Sequence, residues 1–391
     1  MNYPRHKETA LIWDYKFWNT QPVPKLNEIV NIDGQIQPNK DINEIEKNKL
    51  QLPDKFEWVN FDLNNDQDCN IISQFLNIHY VQDNNEIRTN YTPELLKWLY
   101  GLYKYYAIGV RVVDSKLLVG VICGRIEKIQ VNKNILDMVQ VNLLCVHYKL
   151  RYKRLTPVLI RELTRLANMD GYFKALYNTK TYLPTPILST TNYYKPINVD
   201  VLYDIGIIKL DEKTPLKNVI KAHKLPDKFS TPHFVKADLK HLDQMYDLFN
   251  TYMGKYNLHP VFDKEQFKNM FLDNNFIMCY VLENDNNDVV DFISYYKIKS
   301  PVLKNDKNDY INVAQLFYYT SVNEPQYSLI KNMLIVARNN NMDVFNAMDI
   351  MENSNILKEL GFEAGNNVLF YYLYNWKAKP IKNIQCSLLL I

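Results

Sequence analysis

Apolar residues recur along this chain with two periods, three-to-four and two, and their order predicts an alternation of helices and strands. From Pro157 to Met169, Leu159, Ile160, Leu163, Leu166 and Ala167 fall at the spacing that lines one face of a helix. Thr156 and Pro157 supply an N-cap and first-turn pair for it. Upstream, Tyr106–Val113 and Lys116–Ile126 are β-branched runs parted by Asp114-Ser115, as in a hairpin, and Val139–Val146 reads as a third strand. Earlier still come helices at Asn70–Ile78 and Glu94–Tyr100, the latter opened by Pro93, with a polar loop from Gln82 to Asn90 between them. The first fifty or so residues lack sustained periodicity. There the aromatic pair Phe17-Trp18 beside Gln21-Pro22-Val23-Pro24 reads as an extended arm.

The second half repeats this order. Strands are expected at Phe276–Leu282, Val289–Lys297 and Val313–Ser321, followed by a helix over Gln326–Asn339. Leu159-Ile160, Ala167, Phe173 and Ala175 find counterparts in Leu329-Ile330, Ala337, Phe345 and Ala347, with a two-residue insertion between helix and strand. The expected fold is therefore α/β: two tandem units, each with antiparallel strands feeding a parallel pair through a helix. They are joined near Val201–Pro226, with halves at 1–200 and 201–391, and a ligand cleft between halves is the natural consequence.

Composition narrows the function. With 391 residues, 47% hydrophobic, the chain can bury a large core. Its 46 basic and 43 acidic side chains nearly cancel, which excludes bulk electrostatic binding of nucleic acid. Cys69, Cys123, Cys145, Cys279 and Cys386 are odd in number and never spaced as CxxC, so a disulfide framework and a zinc site are both disfavoured and a reducing compartment is expected. Neither a secretory leader nor a transmembrane anchor is read at the start, so a cytoplasmic protein is expected. No glycine-rich nucleotide loop appears among only ten glycines.

One junction carries a chemical signal. Lys149-Leu150-Arg151-Tyr152-Lys153-Arg154 places four cations in six residues, between a strand and a proline-started helix. Free amide groups and the positive helix end would sit among those cations, a cradle suited to a pyrophosphate. A solvated basic turn is the plainer alternative.

The full string from Val141 to Pro157 (VNLLCVHYKLRYKRLTP) resembles the hallmark segment of the N-myristoyltransferase family. Phe17–Leu26, Tyr80–Pro93, Asp343–Asn353 and Tyr371–Trp376 resemble other segments of that family in the same order. The resemblance implies two related halves of acetyltransferase type, GNAT-like and related by pseudo-twofold symmetry, with mixed sheets flanked by helices. The first would bind acyl-CoA and the second the peptide. It implies transfer of a myristoyl group from myristoyl-CoA to the α-amine of an N-terminal glycine, by direct attack and without metal.

By the same resemblance Phe17 and Trp18 contact the acyl-CoA, Leu143, Leu144, Cys145 and Val146 line the thioester, and Tyr152, Lys153, Arg154, Leu155 and Thr156 hold phosphates. Backbone N–H groups of Leu143 and Leu144 would form an oxyanion hole. The terminal carboxylate of Ile391 would accept the proton of the amine, with Asn142 positioning that amine. Without the resemblance, the apolar Leu388-Leu389-Leu390-Ile391 tail reads as packing, and Cys145 as an inert strand cysteine. His147 is expected to be structural.

The resemblance thins on the acceptor side. Tyr80, Val81, Asp83, Arg88 and Tyr91 fit the family's peptide-contacting loop, one residue shorter. Asn178-Thr179-Lys180 stands where the family has Thr-Ala-Gly, so Asn178 would offer an amide in place of a hydroxyl. Asn192 and Tyr194 replace a Tyr and a His, Leu316 replaces a small polar residue, and Asn366 replaces an Asp, which weakens any preference for a basic acceptor. Partners are expected to be N-terminal peptides of client proteins and acyl-CoA, with the chain acting as a monomer. Two rivals remain: an acyltransferase with another acceptor, such as a lysine or a non-glycine terminus, and a noncatalytic acyl-CoA or peptide binder.

Overall fold

The computed structural model describes residues 4–80, 88–211, 213–303 and 310–391. The arm is not simply extended: it holds the short helix α1 (Lys7–Leu11) and 3-10 turns at Trp18–Thr20 and Ile42–Glu44, with strands β1 (Gly34–Gln35) and β2 (Phe56–Asn60). Helices α2 (Asp66–His79) and α3 (Pro93–Tyr100) lead to strands β3 (Tyr105–Val112), β4 (Leu118–Val131) and β5 (Asn134–Val146). Helix α4 (Leu155–Met169), β6 (Ala175–Thr179) and β7 (Leu188–Pro196) complete the first half. A connection bearing α5 (Val199–Asp204) and α6 (Leu216–Ala222) reaches β8 (Phe234–Lys236), α7 (Leu242–Met253), β9 (Leu258–Pro260) and α8 (Lys264–Phe271). Then follow β10 (Ile277–Glu283), β11 (Val289–Pro301), β12 (Tyr310–Thr320), α9 (Gln326–Asn339), β13 (Val344–Met348), α10 (Asn353–Glu359), β14 (Glu363–Tyr374) and β15 (Trp376–Lys377).

Thirteen of the described strands form one sheet, ordered β2-β3-β4-β5-β6-β14-β7-β13-β12-β11-β10-β8, with β9 added beside β4. Its middle shows how the halves join. α4 connects β5 to its parallel neighbour β6, and α9 connects β12 to its parallel neighbour β13. β14 of the second half pairs with β6, while β7 of the first pairs with β13, so each half completes the other's sheet. The two exchanged strands are themselves neighbours. This is the mixed α/β architecture of two tandem units that the residue pattern predicted.

The repeat holds in the helices and shifts in the strands. Leu159 and Leu329 are both fully buried, as are Ala167 and Ala337, on the sheet-facing sides of α4 and α9. In the parallel pairs, however, Ala175 opposite Val139 matches Val344 opposite Val313, so Leu176 corresponds to Phe345. On this register the second half is one residue shorter between helix and strand, rather than two longer. Phe173 looked equivalent because aromatic and aliphatic residues occupy such positions interchangeably; backbone register, not residue type, decides.

Several boundaries also moved. α2 starts at Asp66, capped by the Asn65 side chain, which accepts from the N–H groups of Gln67 and Asp68. Helix α4 begins at Leu155, with Arg154 rather than Thr156 in the cap position, so Pro157 lies third in the first turn, where a missing N–H costs nothing. β4 and β5 extend through a tight turn at Asn132-Lys133. The charges at Arg125 and Glu127 interrupt the apolar run in sequence, yet they lie 3% and 6% exposed as a 2.7 Å ion pair.

Candidate active site

The site grows from the place where β5 and β6 part. They pair only at Val139–Ala175, Gln140–Leu176 and Val141–Tyr177, and beyond this no described strand occupies that edge of β5. On its other edge β5 carries a bulge: Cys123 pairs with Leu143 and Gly124 with Val141, leaving Asn142 as the extra residue. A bulge re-aims a side chain, and here the re-aimed side chain is a buried-edge amide. Leu143 and Leu144 therefore present backbone at the mouth of an opening between two diverging strands, a geometry able to receive a ligand's carbonyl.

The C-terminus fills the space next to Asn142. Gln385 accepts from the N–H of Asn257, the N–H of Ser387 donates to Leu258, and the N–H of Leu389 donates to the Tyr318 hydroxyl at 3.3 Å. The Tyr371 hydroxyl donates to the carbonyl of Leu388, also at 3.3 Å. Cys386, Ser387, Leu388 and Leu389 are buried, and Ile391 packs half-buried on the main core. So anchored, the terminus meets Asn142, whose Nδ2 donates to a terminal oxygen of Ile391 at 2.8 Å. The Tyr80 hydroxyl donates to the Asn142 carbonyl at 3.4 Å, and Tyr80 meets the Tyr91 ring edge-on at 5.2 Å.

The arm crosses the same opening. Trp18 stacks on Tyr177 with centroids 5.5 Å apart, Tyr177 stacks on Tyr372 at 5.2 Å, and Phe17 meets Trp18 edge-on. The Arg161 guanidinium lies 5.7 Å from the Phe17 ring centroid. Tyr177 carries a buried hydroxyl without a hydrogen-bond partner. Below the arm, Arg154 adopts φ 61° and turns the chain into α4, whose first turn has no side-chain cap. The N–H groups of Leu155 and Thr156 are thus open to an anion. Lys149, Tyr152, Lys153 and Arg154 are exposed around them.

Arg151 departs from this set: its guanidinium donates to the His79 carbonyl at 2.5 Å. His79 and His147 rings lie 4.2 Å apart, and burial, then His147, Arg151 and Arg88, push His79 down to about 4. His147 accepts from the Lys149 N–H through Nδ1, a structural role. Burial pushes the Cys145 thiol up to about 12, which keeps it protonated at neutral pH.

The residues expected on the acceptor side spread out. Asn178 pairs with Tyr371, one position past Tyr177, and so lies in the same row as Asn142. Tyr371 also pairs with Leu188; Asn192 and Tyr194 lie four and six residues farther along β7, roughly 13 and 20 Å away at 3.3 Å per residue. Tyr194 donates to Glu363 at 2.8 Å. The Asn192 carbonyl sits against Gly365, where a Cβ would come within 2.7 Å, and Asn366 is exposed on that same irregular stretch of β14. Leu316 is fully buried, at the start of the corresponding opening beside β12. Burial, then Arg5, push Lys180 down to about 8. Arg88 donates through Nη1 to the Asn77 carbonyl. Val81 and Asp83 lie outside the described residues.

Sequence reasoning missed Tyr100, Tyr177, Tyr318 and Arg161. The first three read as ordinary apolar positions of a helix or strand, and only the strand register shows what their hydroxyls or rings meet. Among the described residues no group of three or more His, Cys, Asp or Glu side chains is placed to hold a metal, and no helix is long and apolar enough to cross a membrane.

Residues 35–190 match the family model "Myristoyl-CoA:protein N-myristoyltransferase, N-terminal domain" and residues 204–387 the model of its C-terminal domain. A glycylpeptide N-tetradecanoyltransferase of Drosophila melanogaster is 37% identical over 382 residues, 96% of this chain and 81% of the relative. That of Plasmodium falciparum is 34% identical, covering 99% and 96%. A Saccharomyces cerevisiae N-myristoyltransferase crystallised with bound myristoyl-CoA superposes with a TM-score of 0.90 at 31% identity, covering 97% of this chain and 99% of that one.

Proposed function

Since the chain belongs to the myristoyl-CoA:protein N-myristoyltransferase family, and is an acyltransferase of that kind, we propose that it acylates the α-amine of an N-terminal glycine by direct attack on the thioester. The observation that carries this reading is the 2.8 Å contact between Asn142 and the terminus at Ile391, beside the opening where β5 leaves β6. A substrate ammonium has an ordinary pKa near 8 and must lose a proton to become a nucleophile. The terminal carboxylate accepts that proton. Asn142, which donates to one oxygen, holds the carboxylate towards the opening, and Asn178 in the same row receives the amine from the other strand.

As the amine attacks, negative charge grows on the thioester oxygen, and the backbone N–H groups of Leu143 and Leu144 stabilise it. The C–N bond forms, the C–S bond breaks, and the thiolate of coenzyme A leaves. Cys145, held protonated, takes no part. Phe17 and Trp18 cover the donor, and Lys149, Tyr152, Lys153, Arg154, Leu155 and Thr156 receive its phosphates through side-chain cations and the uncapped first turn of α4. The donor residues all lie in the first half, whereas the residues that border the acceptor, Tyr80, Arg88, Tyr91, Asn192, Tyr194 and Asn366, come from both halves. Five buried, unbridged cysteines fit a reducing, cytoplasmic setting.

The test is mass spectrometry of peptides differing only in their first residue, incubated with the protein and acyl-CoAs of several chain lengths. A 14-carbon adduct on the α-amine of the glycine peptide is expected. Acylation of a lysine side chain, or of an alanine-initiated peptide with equal efficiency, would replace this acceptor assignment.

A further inference from the structure

Tyr100 ends α3 and is fully buried, and its hydroxyl donates to Oδ1 of Asn142. An amide has one accepting and one donating end, so occupying Oδ1 with a donor leaves Nδ2 for the terminal oxygen of Ile391. The reverse orientation would set the amide oxygen against a carboxylate. The acceptor-only carboxylate already disfavours that reverse orientation, and the Tyr100 hydroxyl, by donating to Oδ1, holds the amide more firmly in the same one; Tyr80 reaches only the backbone carbonyl of Asn142.

The helix end that carries Tyr100 is itself fixed from below. Arg125 donates to the carbonyl of Leu99 at 2.5 Å, pairs with Glu127 at 2.7 Å, and lies 4.6 Å from the centroid of the Tyr103 ring. A cation at the last turn of a helix is favourably placed, and here it is buried and paired. The chain of contacts therefore runs from a buried ion pair in β4 through the end of α3 to the bulge in β5 and on to Ile391.

We propose that Tyr100 is a positioning residue for the acyl transfer: its hydroxyl fixes the amide of Asn142 so that the terminal carboxylate is held in one orientation. This rests on the reading of the Ile391 carboxylate as base. Tyr100 touches no substrate; its effect passes wholly through Asn142.

Because the effect passes through one residue, a double-mutant cycle exposes it. Tyr100→Phe should lower kcat about tenfold, the scale of one hydrogen bond to a charged network, with the KM for acyl-CoA unchanged. Asn142→Ala should lower kcat by at least as much, and the Tyr100→Phe/Asn142→Ala protein should be no slower than Asn142→Ala alone. Should the Phe protein melt early, Tyr100→Leu serves in the same cycle. Full kcat in the Phe protein, or a double variant slowed by the product of the two single effects, overturns the proposal. A protein with one residue appended after Ile391 separates the premise: if it turns over normally, the base assignment fails and Tyr100 falls with it. If it is inactive while the cycle is additive, only the role of Tyr100 is lost.

Discussion

Asn142 and Ile391 stand 249 positions apart in sequence and meet at 2.8 Å, an internal amide donating to the last residue of the chain. One partner is placed by a bulge in β5 and the other by a tail pinned at Leu258, Tyr318 and Tyr371. Appending a residue after Ile391 converts the carboxylate into a neutral amide. Turnover should fall at least about a hundredfold, the usual worth of a general base, while acyl-CoA binding by calorimetry stays the same.

Arg154 and Lys153 flank the uncapped start of α4, where a phosphate would gain both charge and backbone donors. Arg154→Ala is expected to weaken acyl-CoA binding roughly fivefold to tenfold, and the deficit should shrink as salt rises, because the lost contact is exposed and screened. A deficit independent of salt would point to a change in the turn at φ 61° instead.

Cys145 lies in β5 one residue past Leu144, near enough to the opening to suggest a covalent relay. Its thiol is pushed up to about 12 by burial, so almost no thiolate exists at neutral pH. Cys145→Ala should therefore keep kcat within about threefold, and no acyl adduct on the protein should be seen after incubation with donor alone.

The stability of the fold should fall in mild acid because of His79. Folded, it titrates near 4; unfolded, near its ordinary 6.5. Between these values the unfolded chain binds a proton that the folded chain refuses, so this stability is whole above about 6.5 and is lost as pH falls towards 4. His147, also lowered by burial, acts in the same direction. Scanning calorimetry of His79→Gln across that window should show a flatter decline of Tm than the unaltered protein.

How far the residues alone reach depends on which interactions are local. The period of Leu159, Leu163 and Ala167 names helix α4, and the β-branched runs name β3 and β4, because one face of each must be buried and that requirement repeats every few residues. The cation-rich turn before Pro157 is likewise legible, since its neighbours in space are its neighbours in sequence. The exchange of β7 and β14 left no such trace: a strand's pattern says that one face is covered, not which half covers it.

Sequence by itself thus determined the two-unit α/β order, the basic junction and an apolar tail. Only the tertiary structure decided that the tail ends on Asn142, that Tyr100 holds the other end of that amide, and that Trp18 stacks on Tyr177 above the split sheet. The physical reason is range. Periodicity records the burial of a face within one element, whereas a hydrogen bond across 249 residues depends on the register of strands drawn from both halves.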